Sequence, residues 1–331
     1  MDHVETLVWG GSVPLAFVLA ASDVATLHPP SARYVLAPRV SYLPQLVESV
    51  LALFQQAVAP AGGNGGAQHV WFEASGVPLK WQLPVGVLVD AVRMFAPADV
   101  SLPLTVVVHF HDFPSDTLMR YQGQQSARRA YVNALKQSAC LHFGSAKPVL
   151  TGLSQTQQEQ MWRAIATGNH AQFWSCNDAL HGTRCPTRAK RRCIRVVSVK
   201  NSMSSGVGDA RDFLSGSSSS KFDSSSRAGV CIRAVLFPFH EDIDSHKEHG
   251  REEHAKSTAA AANDVAEYGG SAMTTTIGEF LRSHVFCDGE RDGTESLSVL
   301  VHGVELPLTA SIADIHDRMS SADNCLYLIV N

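Results

Sequence analysis

The sequence has few of the features that mark secreted, membrane-spanning or strongly charged proteins. Its seven cysteines are odd in number and irregularly spaced, which argues against a disulfide framework and favours a reducing compartment. No stretch reaches the roughly 18–20 uninterrupted apolar residues that a spanning helix needs. The apolar stretch 7–21 follows acidic residues and contains glycines and a proline, unlike a signal peptide. We therefore expect a soluble, cytosolic protein.

The chain also lacks a strong excess of charge of either sign. Its formal net charge is −4 over 331 residues, so overall charge gives no reason to expect a nucleic acid partner. A basic run at 184–192 is interpreted as a solvated linker, with contact to anionic lipid as the alternative. The hydrophobic share of 45% is that of a globular protein.

The first hundred residues alternate strand-like and helix-like patterns. Two apolar runs, 5–9 and 14–20, flank a glycine pair and predict a β-hairpin. Residues 34–40 predict a strand, and apolar residues at helical spacing from Ser41 to Phe54 predict one amphipathic helix. The later patterns predict strands at 69–73, 79–81 and 104–110 and a helix from Pro84 to Met94. Strand, strand, helix, strand, helix, strand is the order of the β-grasp, the fold of ubiquitin.

Residues 115–182 have a different character, because β-branched runs disappear and helical spacing takes their place. Helices are predicted at 130–140 and at 157–165. Ser154, followed by Gln157, has the spacing of a capping box that starts the second of these helices. This part of the chain is therefore predicted to be helix-rich.

From Cys193 the earlier order returns. Strands are predicted at 194–200, 231–239, 297–304 and 326–330, and helices near Thr275 or Thr276 and near Ser311. The sequence thus predicts an α+β fold in which two ubiquitin-like β-grasp domains flank a helix-rich domain. We place the three domains at 1–112, 113–186 and 187–331.

Two insertions interrupt the second ubiquitin-like domain, at 201–229 and 241–272. The first is rich in serine and glycine and has too few apolar residues to bury, so we expect it to be disordered. The second is acidic and rich in histidine, then rich in alanine. Its histidines are interpreted as part of a solvated insertion, with weak metal binding as the alternative.

Several ordered strings resemble one known family. Leu36–Leu43 contains a Pro-Arg-Val-Ser-Tyr-Leu signature, and Trp71-Phe72-Glu73 is followed by Gly76-Val77-Pro78-Leu79-Lys80-Trp81 and Pro84-Val85-Gly86. Val107–Phe110, Gln172–Trp174, Val301–Glu305 and Asp323–Leu326 extend the match. In order and spacing these strings resemble the autophagy protein 5 family over nearly everything outside the two insertions.

The resemblance implies a function. Family members accept autophagy protein 12 through an isopeptide bond to one lysine and bind the coiled-coil partner autophagy protein 16. The assembly acts as an E3-like platform for the lipidation of autophagy protein 8 in autophagosome formation. Separate E1-like and E2-like enzymes catalyse the transfers, so the resemblance implies a scaffold without catalytic residues or cofactors. It also implies a cytoplasmic protein with peripheral contact to the phagophore membrane.

The resemblance also points to individual residues. The family's acceptor lysine lies on a helix at the place of Ala134–Ser138, so Lys136 is the predicted acceptor, although Gln137 stands where the family has glutamate. Lys147 is the reserve, because these are the only two lysines between Lys80 and Lys190. Trp9 and Arg39 are predicted to bind the coiled-coil partner between the two ubiquitin-like domains. The chain ends in a strand-like run without the glycine tail of a modifier, which favours the acceptor role.

Other residue clusters have a structural interpretation beside a chemical one. His109 and His111 lie two apart on a predicted strand, but a metal site needs further ligands. Cys140 and His142 do not face each other on a helix, so we assign no catalytic or metal site. The aromatic residues at 71, 72 and 81 are interpreted as core. The alternative for the whole chain is a ubiquitin-like module that binds partners non-covalently and is never conjugated.

Overall fold

The computed structural model describes residues 3–58, 69–96, 101–180, 191–200, 229–238, 275–284 and 297–331. The acidic histidine-rich insertion and most of the serine-rich one lie outside these residues, as does most of the basic run. No helix in the described part is long and apolar enough to cross a membrane.

The first part of the chain forms a five-stranded sheet in the order β2-β1-β5-β3-β4. Strand β1 pairs in parallel with β5 and antiparallel with β2, and alternate residues of each strand face the helices of this unit. The elements are α1 (His3–Gly10), β1 (Ser12–Leu19), a 3-10 turn (Ala21–Asp23), β2 (Arg33–Pro38), α2 (Leu43–Leu46), α3 (Glu48–Phe54), a 3-10 turn (Gln55–Ala57), β3 (Trp71–Ala74), β4 (Val77–Pro78), α4 (Val85–Phe95) and β5 (Leu104–His109).

The middle of the chain is helical, as predicted. It contains α5 (Gln124–Phe143), α6 (Lys147–Gly152), α7 (Gln155–Thr167), α8 (His170–Asn177) and a 3-10 turn (Asp178–Leu180). The predicted capping box at the start of α7 is present, because the Ser154 side chain accepts from the Gln157 N–H and Gln157 returns a bond to the Ser154 N–H.

The last part repeats the first. Its sheet has the order β7-β6-β10-β8-β9, and the final strand β10 is again parallel to the first strand β6. The two sheets therefore have the same connections, which confirms the predicted pair of β-grasp units. The elements are β6 (Arg191–Lys200), β7 (Gly229–Pro238), α9 (Ile277–His284), β8 (Val299–Val301), β9 (Val304–Glu305), α10 (Ile312–Met319) and β10 (Leu326–Val330).

Four local predictions were wrong. Residues 5–9 are not a strand but part of helix α1, because Val4, Val8 and Trp9 share one helical face that packs into the helical core. The predicted helix 41–54 is divided into α2 and α3 at Val47. The strand expected at 79–81 lies at Val77–Pro78. The strand expected at 297–304 turns back at 302–303, where both residues have positive φ.

The core of the first unit continues into the second. Eight consecutive residues of α4, Val85 to Val92, are buried, and α4 contacts β2 on one side and β6, β8 and β10 on the other. The same apolar cluster contains Phe17 and Phe72 of the first sheet and Cys193 and Ile329 of the second. Trp71, Phe72 and Trp81 are buried, which confirms that they belong to the core.

The serine-rich insertion joins two adjacent strands, as predicted. Strands β6 and β7 pair along their whole length, and Lys200 lies opposite Gly229 at the end of the ladder. An Asn-Gly turn spans such a pair. Replacing residues 201–228 by Asn-Gly should leave the fold intact, with a melting temperature at or slightly above that of the parent, because each halving of the loop lowers its closure cost by about 0.6 kcal/mol.

The control is a chain in which residues 201–228 are replaced by a glycine-serine linker of equal length. Thermal unfolding of both variants, followed by circular dichroism, should give curves close to that of the parent. A large fall in the melting temperature of either variant would show that the segment contributes to the folded core.

Candidate functional site

Helix α5 carries the predicted acceptor lysine. Its buried residues recur every three or four positions and include Tyr131, Leu135 and His142, so one stripe of the helix faces the core. Lys136 follows the fully buried Leu135 and is partly exposed. The helix ends at Gly144, whose left-handed conformation (φ +73°) is typical of a helix C-terminus.

Three contacts fix α5 to the second ubiquitin-like unit. The Tyr131 hydroxyl donates to the carbonyl of Ala322 at 3.1 Å, and the backbone N–H of Cys193 donates to Nε2 of His142 at 3.1 Å. Between them, Arg195 donates to Oε1 of Gln137, the neighbour of Lys136, at 3.4 Å. Lys136 therefore lies on a helix that is held on both sides of it.

Lys147, the reserve acceptor, has a different setting. It is the first residue of the six-residue helix α6 and is exposed. Its backbone N–H bonds to the hydroxyl of Ser145 in the preceding turn. Lys147 is thus more accessible than Lys136 but lies at the start of a short helix, whereas Lys136 lies in the middle of a helix of 20 residues.

Trp9, a predicted partner-binding residue, is buried inside the molecule. Its side chain is only 3% exposed, and its ring lies 4.5 Å from Phe173 and 5.6 Å from His170, both on α8. A Cβ at Gly168 would lie 3.3 Å from the Trp9 carbonyl oxygen, so this approach leaves little room for a side chain. Trp9 joins α1 to the helical domain. Because the indole is buried, a partner would contact the residues around Trp9 rather than the indole itself.

Arg39, the other predicted partner-binding residue, is also buried. Its guanidinium Nη2 bonds to Oδ2 of Asp90 at 2.5 Å and to the carbonyl of Gly86 at 3.2 Å, both on α4. Glycines line this site: a Cβ at Gly11, Gly86 or Gly303 would lie about 3.0–3.1 Å from an Arg39 atom. The absence of three side chains is what makes room for the arginine.

The Arg39–Asp90 pair extends to the second ubiquitin-like unit. The backbone N–H of Gly303, in the turn between β8 and β9, donates to Oδ2 of Asp90 at 2.7 Å. Burial raises the pKa of Asp90, although Arg39 and this N–H both oppose the shift by favouring the carboxylate. One carboxylate oxygen therefore binds groups from both units, and Asp90 ties them together.

Sequence reasoning missed Asp90, although a signal was present. It is the only charged residue between Lys80 and Arg93, in a stretch that is otherwise apolar and helical. A lone carboxylate in a buried helix requires a buried cation or several N–H donors. That rule predicts a partner for Asp90 but not which of the chain's arginines supplies it.

A second polar cluster lies where α5, β6 and β10 meet. Arg195 bonds to Oδ2 of Asp323 at 3.0 Å and to the hydroxyl of Tyr327 at 2.6 Å, and Tyr327 donates to the same oxygen at 2.7 Å. Burial raises the pKa of Tyr327 well above its ordinary value, so the phenol stays protonated and can donate. Nearby, Asn177 and Asn324 exchange two amide bonds at 2.8 and 3.1 Å.

The basic run, where it is described, is not a solvated linker. Arg192 is buried and forms two bonds to Asp317 of α10, at 3.2 and 3.1 Å. Burial raises the pKa of Asp317, but hydrogen bonds with His316 and Arg192 and the charge of Arg192 outweigh it and lower the pKa to about 2.

The remaining candidates show structural contacts. His109 stacks on Trp71 at 3.8 Å, and His111 lies 3.2 Å from the carboxylate of Asp23. Cys140 is exposed whereas His142 is buried. Within the described residues, no group of three histidine, cysteine or acidic side chains has the arrangement of a metal site.

The contact between Gly303 and Arg39 can be tested by a pair of alanine substitutions. Gly303 (φ +83°) and Gly76 (φ +76°) share the same strained backbone region, but only Gly303 faces Arg39. We expect Gly303→Ala to lower the free energy of unfolding by about 1–3 kcal/mol more than Gly76→Ala, because only the former overpacks the buried guanidinium. Urea unfolding measures both, and equal losses would contradict the contact.

Stability should also fall in mild acid because of two histidines, His316, which is buried, and His302, which is half-buried. Burial lowers the pKa of His302 to about 4 and lowers that of His316 as well, whereas an unfolded histidine titrates near 6.5. Above that pH neither state binds the proton. Between pH 6.5 and 4 the unfolded chain binds protons that the folded chain does not, so the free energy of unfolding decreases.

The measurement is the melting temperature at pH 7.5 and at pH 5. His302→Gln keeps an N–H donor for the Met319 carbonyl that His302 contacts at 2.9 Å, and it should shrink the difference between the two pH values. His28→Gln, at an exposed position, is the matched control and should leave the difference unchanged. An undiminished pH dependence in His302→Gln would refute the assignment.

Comparison with known proteins agrees with this architecture. Models of autophagy protein ATG5 match three parts of the chain: the UblA domain at residues 8–110, the alpha-helical bundle region at 124–183 and the UblB domain at 255–330. Together these matches cover more than half of the chain. The crystal structure of Kluyveromyces marxianus Atg5 aligns over 100% of both chains with a TM-score of 0.65 and 18% identity, which shows the shared fold.

Related sequences carry the same name. Autophagy protein 5 of Oryza sativa subsp. indica is 40% identical over 162 residues, which span 49% of this chain but only 40% of the rice protein. Autophagy protein 5 of Arabidopsis thaliana is 35% identical over 162 residues, which span 45% of the Arabidopsis protein. That of Emericella nidulans is 26% identical over 347 residues, covering 100% of this chain and 97% of the relative. The chain belongs to the autophagy protein 5 family.

Proposed function

We propose that this chain is a scaffold of autophagosome formation that accepts autophagy protein 12 through an isopeptide bond to Lys136. With autophagy protein 16 it acts as an E3-like platform for the lipidation of autophagy protein 8. The observation that carries the proposal is the position of Lys136 on α5, a long helix fixed to the second ubiquitin-like unit on both sides of the lysine. The reaction itself, formation of an isopeptide bond, is proposed because the chain belongs to this family.

The bond-forming step needs little from this chain. A neutral Lys136 amine attacks the carbonyl carbon of the donor's C-terminal thioester, an amide forms, and the E2-like enzyme's thiolate leaves with the electron pair of the broken C–S bond. The neighbours Gln137 and Ser138 are not bases, and the Ser138 hydroxyl is engaged with the Leu135 carbonyl. We therefore assign removal of the ammonium proton to the E2-like enzyme.

We further propose that the chain is not itself an enzyme and uses no cofactor. Burial raises the pKa of Cys325 well above its ordinary value, and Cys193 beside it is also fully buried. A thioester-forming cysteine needs an accessible, readily ionised thiol. The two buried thiols are thus unsuited to a carrier role, whereas Cys140 is exposed on α5. We assign the catalytic thiols to the E1-like and E2-like enzymes, as the resemblance to the family implies.

The coiled-coil partner is proposed to bind near the junction of the two ubiquitin-like units. Trp9 and Arg39 remain the predicted determinants, and their burial indicates that they act by fixing α1 and the two sheets in place. Two exposed apolar side chains are available for direct contact: Leu7 (62%), two residues before Trp9, and Val304 (52%), which follows the Gly303 that faces Arg39. We place the protein in the cytoplasm, with peripheral contact to the phagophore membrane during assembly.

The decisive prediction concerns Lys136→Arg in a reconstituted conjugation reaction. Arginine keeps the positive charge and the length of the side chain but does not deprotonate to a usable nucleophile. Because Lys136 is partly exposed, the variant should fold like the parent and bind its coiled-coil partner with unchanged affinity. It should form no conjugate on a denaturing gel.

Lys147→Arg is the matched control and should be conjugated at the parent rate. If Lys136→Arg is conjugated as fast as the parent, the acceptor is another lysine. If the parent chain itself forms no conjugate with the intact pathway enzymes, the alternative function applies. The chain is then a ubiquitin-like module that binds its partners without becoming conjugated.

A further inference from the structure

Strand β2 is an edge strand with an apolar outer face. It lies at the end of the first sheet, and among the described residues no strand pairs with its outer side. Tyr34 and Leu36 project away from the helices and are 72% and 69% exposed, whereas Ala37 points inward and is fully buried. Such alternation sets one row of large apolar side chains in solvent.

The outer face continues to be apolar on the neighbouring strand. Tyr34 lies opposite Ala16 of β1, which is buried, and Leu36 lies opposite Pro14, which is partly exposed, so the exposed part of this face is Tyr34, Leu36 and the edge of Pro14. A sheet with one face on the core normally has polar residues on the other. An exposed apolar patch at this place is the kind of feature that marks an interaction site.

The middle of the edge lacks the usual protection against pairing. Proteins guard edge strands with lysine, proline, bulges or short length. Strand β2 has a charge and a proline only at its two ends, Arg33 and Pro38, and the four residues between them have neither. The opposite edge of the same sheet, β4, is only two residues long and ends in Pro78. The two edges of this sheet thus differ in length, and among the described residues β2 offers the longer unpaired edge, although helix α7 lies close to its Pro38 end.

We propose that β2 pairs antiparallel with β2 of a second copy of this chain, with a two-fold axis at Val35. The outer faces of the two sheets become continuous only if the axis passes through a residue, because side chains alternate between the faces. An axis at Val35 places Tyr34 of each chain opposite Leu36 of the other. The dimer then contains two equivalent contacts, in each of which a tyrosine of one chain covers a leucine of the other.

Other registers fit less well. An axis at Leu36 sets Tyr34 opposite Pro38, which has no N–H to donate to the ladder. An axis at Tyr34 sets Leu36 opposite residue 32, outside the strand. With the axis at Val35, Arg33 faces Ala37, and the two Arg33 side chains are roughly 13 Å apart along the strand, beyond the screening length of about 8–10 Å.

The pairing is self-complementary but small. Two tyrosines, two leucines and a short stretch of edge backbone bury less than the roughly 1,200 Å² of a standard stable interface. We therefore expect a weak dimer, populated at high protein concentration. A coiled coil has at least two helices, so the partner of the proposed function would hold two copies close together and favour the pairing. The pairing itself does not depend on conjugation.

Light scattering and sedimentation of the full chain over a concentration series test the dimer. The mass should rise towards twice the monomer mass at high concentration. Leu36→Lys, a protecting substitution at a largely exposed position, should lower the dimer fraction at least tenfold with an unchanged melting temperature. Leu150→Ser, at another exposed leucine (59%) on α6, is the control and should dimerise like the parent.

Disulfide trapping tests the register, in a Cys140→Ser background because Cys140 is exposed. Opposite residues of an antiparallel pair have Cα atoms about 4.5–5.5 Å apart, which is within the range that a disulfide can bridge. The Cα atoms of residues offset by two positions are too far apart for a disulfide. A mixture of Tyr34→Cys and Leu36→Cys chains should therefore cross-link, and neither variant should cross-link alone. Cross-linking of Leu36→Cys alone would overturn the register. A chain that stays monomeric at every concentration and forms no cross-link would overturn the pairing, even if β2 captures a strand of another protein.

Discussion

The structure depends on the burial of one helix by two sheets. Helix α4 has eight consecutive buried residues, more than the single stripe that a helix on one sheet needs, because the first sheet covers one side and β6 and β10 cover the other. A charged residue on such a helix requires its own partners inside the protein. Asp90 finds them in Arg39 and the Gly303 N–H. The two ubiquitin-like units are thus repeats of topology that share one apolar cluster, beside a second cluster that belongs to the second unit alone, and we expect them to unfold together.

Much of the fold could be predicted from the sequence, because the strands and most helices follow local periodicity. The β-grasp order, the capping box at Ser154 and the core position of Trp71 depend on neighbouring residues and on hydrophobic pattern. Helix α1 could not be predicted in this way. Its apolar residues fit the spacing of a strand as well as that of a helix. The helix is favoured because it brings Trp9 against Phe173 and His170, which come from a distant part of the chain. Tertiary packing overrides local preference most easily in short segments.

The candidate sites also combine features that local sequence predicts with features that depend on distant residues. Lys136 could be placed on a helix from the sequence, but its fixed setting depends on Cys193 and Ala322, far along the chain. Trp9 and Arg39 were expected near a partner and are buried between units. The sequence did not indicate this structural role, because the pattern around a residue that holds two domains together can equal the pattern around one that binds a partner. The glycines around Arg39 show the structural role only once their neighbours are known, and the part of both residues in partner binding stays a prediction.

The reactivity of two buried thiols can be used to measure how often the structure opens. Cys193 lies on β6 and Cys325 directly precedes the neighbouring strand β10, in the apolar layer that also contains the residues of α4. Neither is exposed in the closed arrangement. An alkylating reagent can reach them only when the layer opens, so their rate of modification measures how often the two units separate. Cys140, on the surface of α5, reacts without such opening and supplies an internal standard in the same molecule.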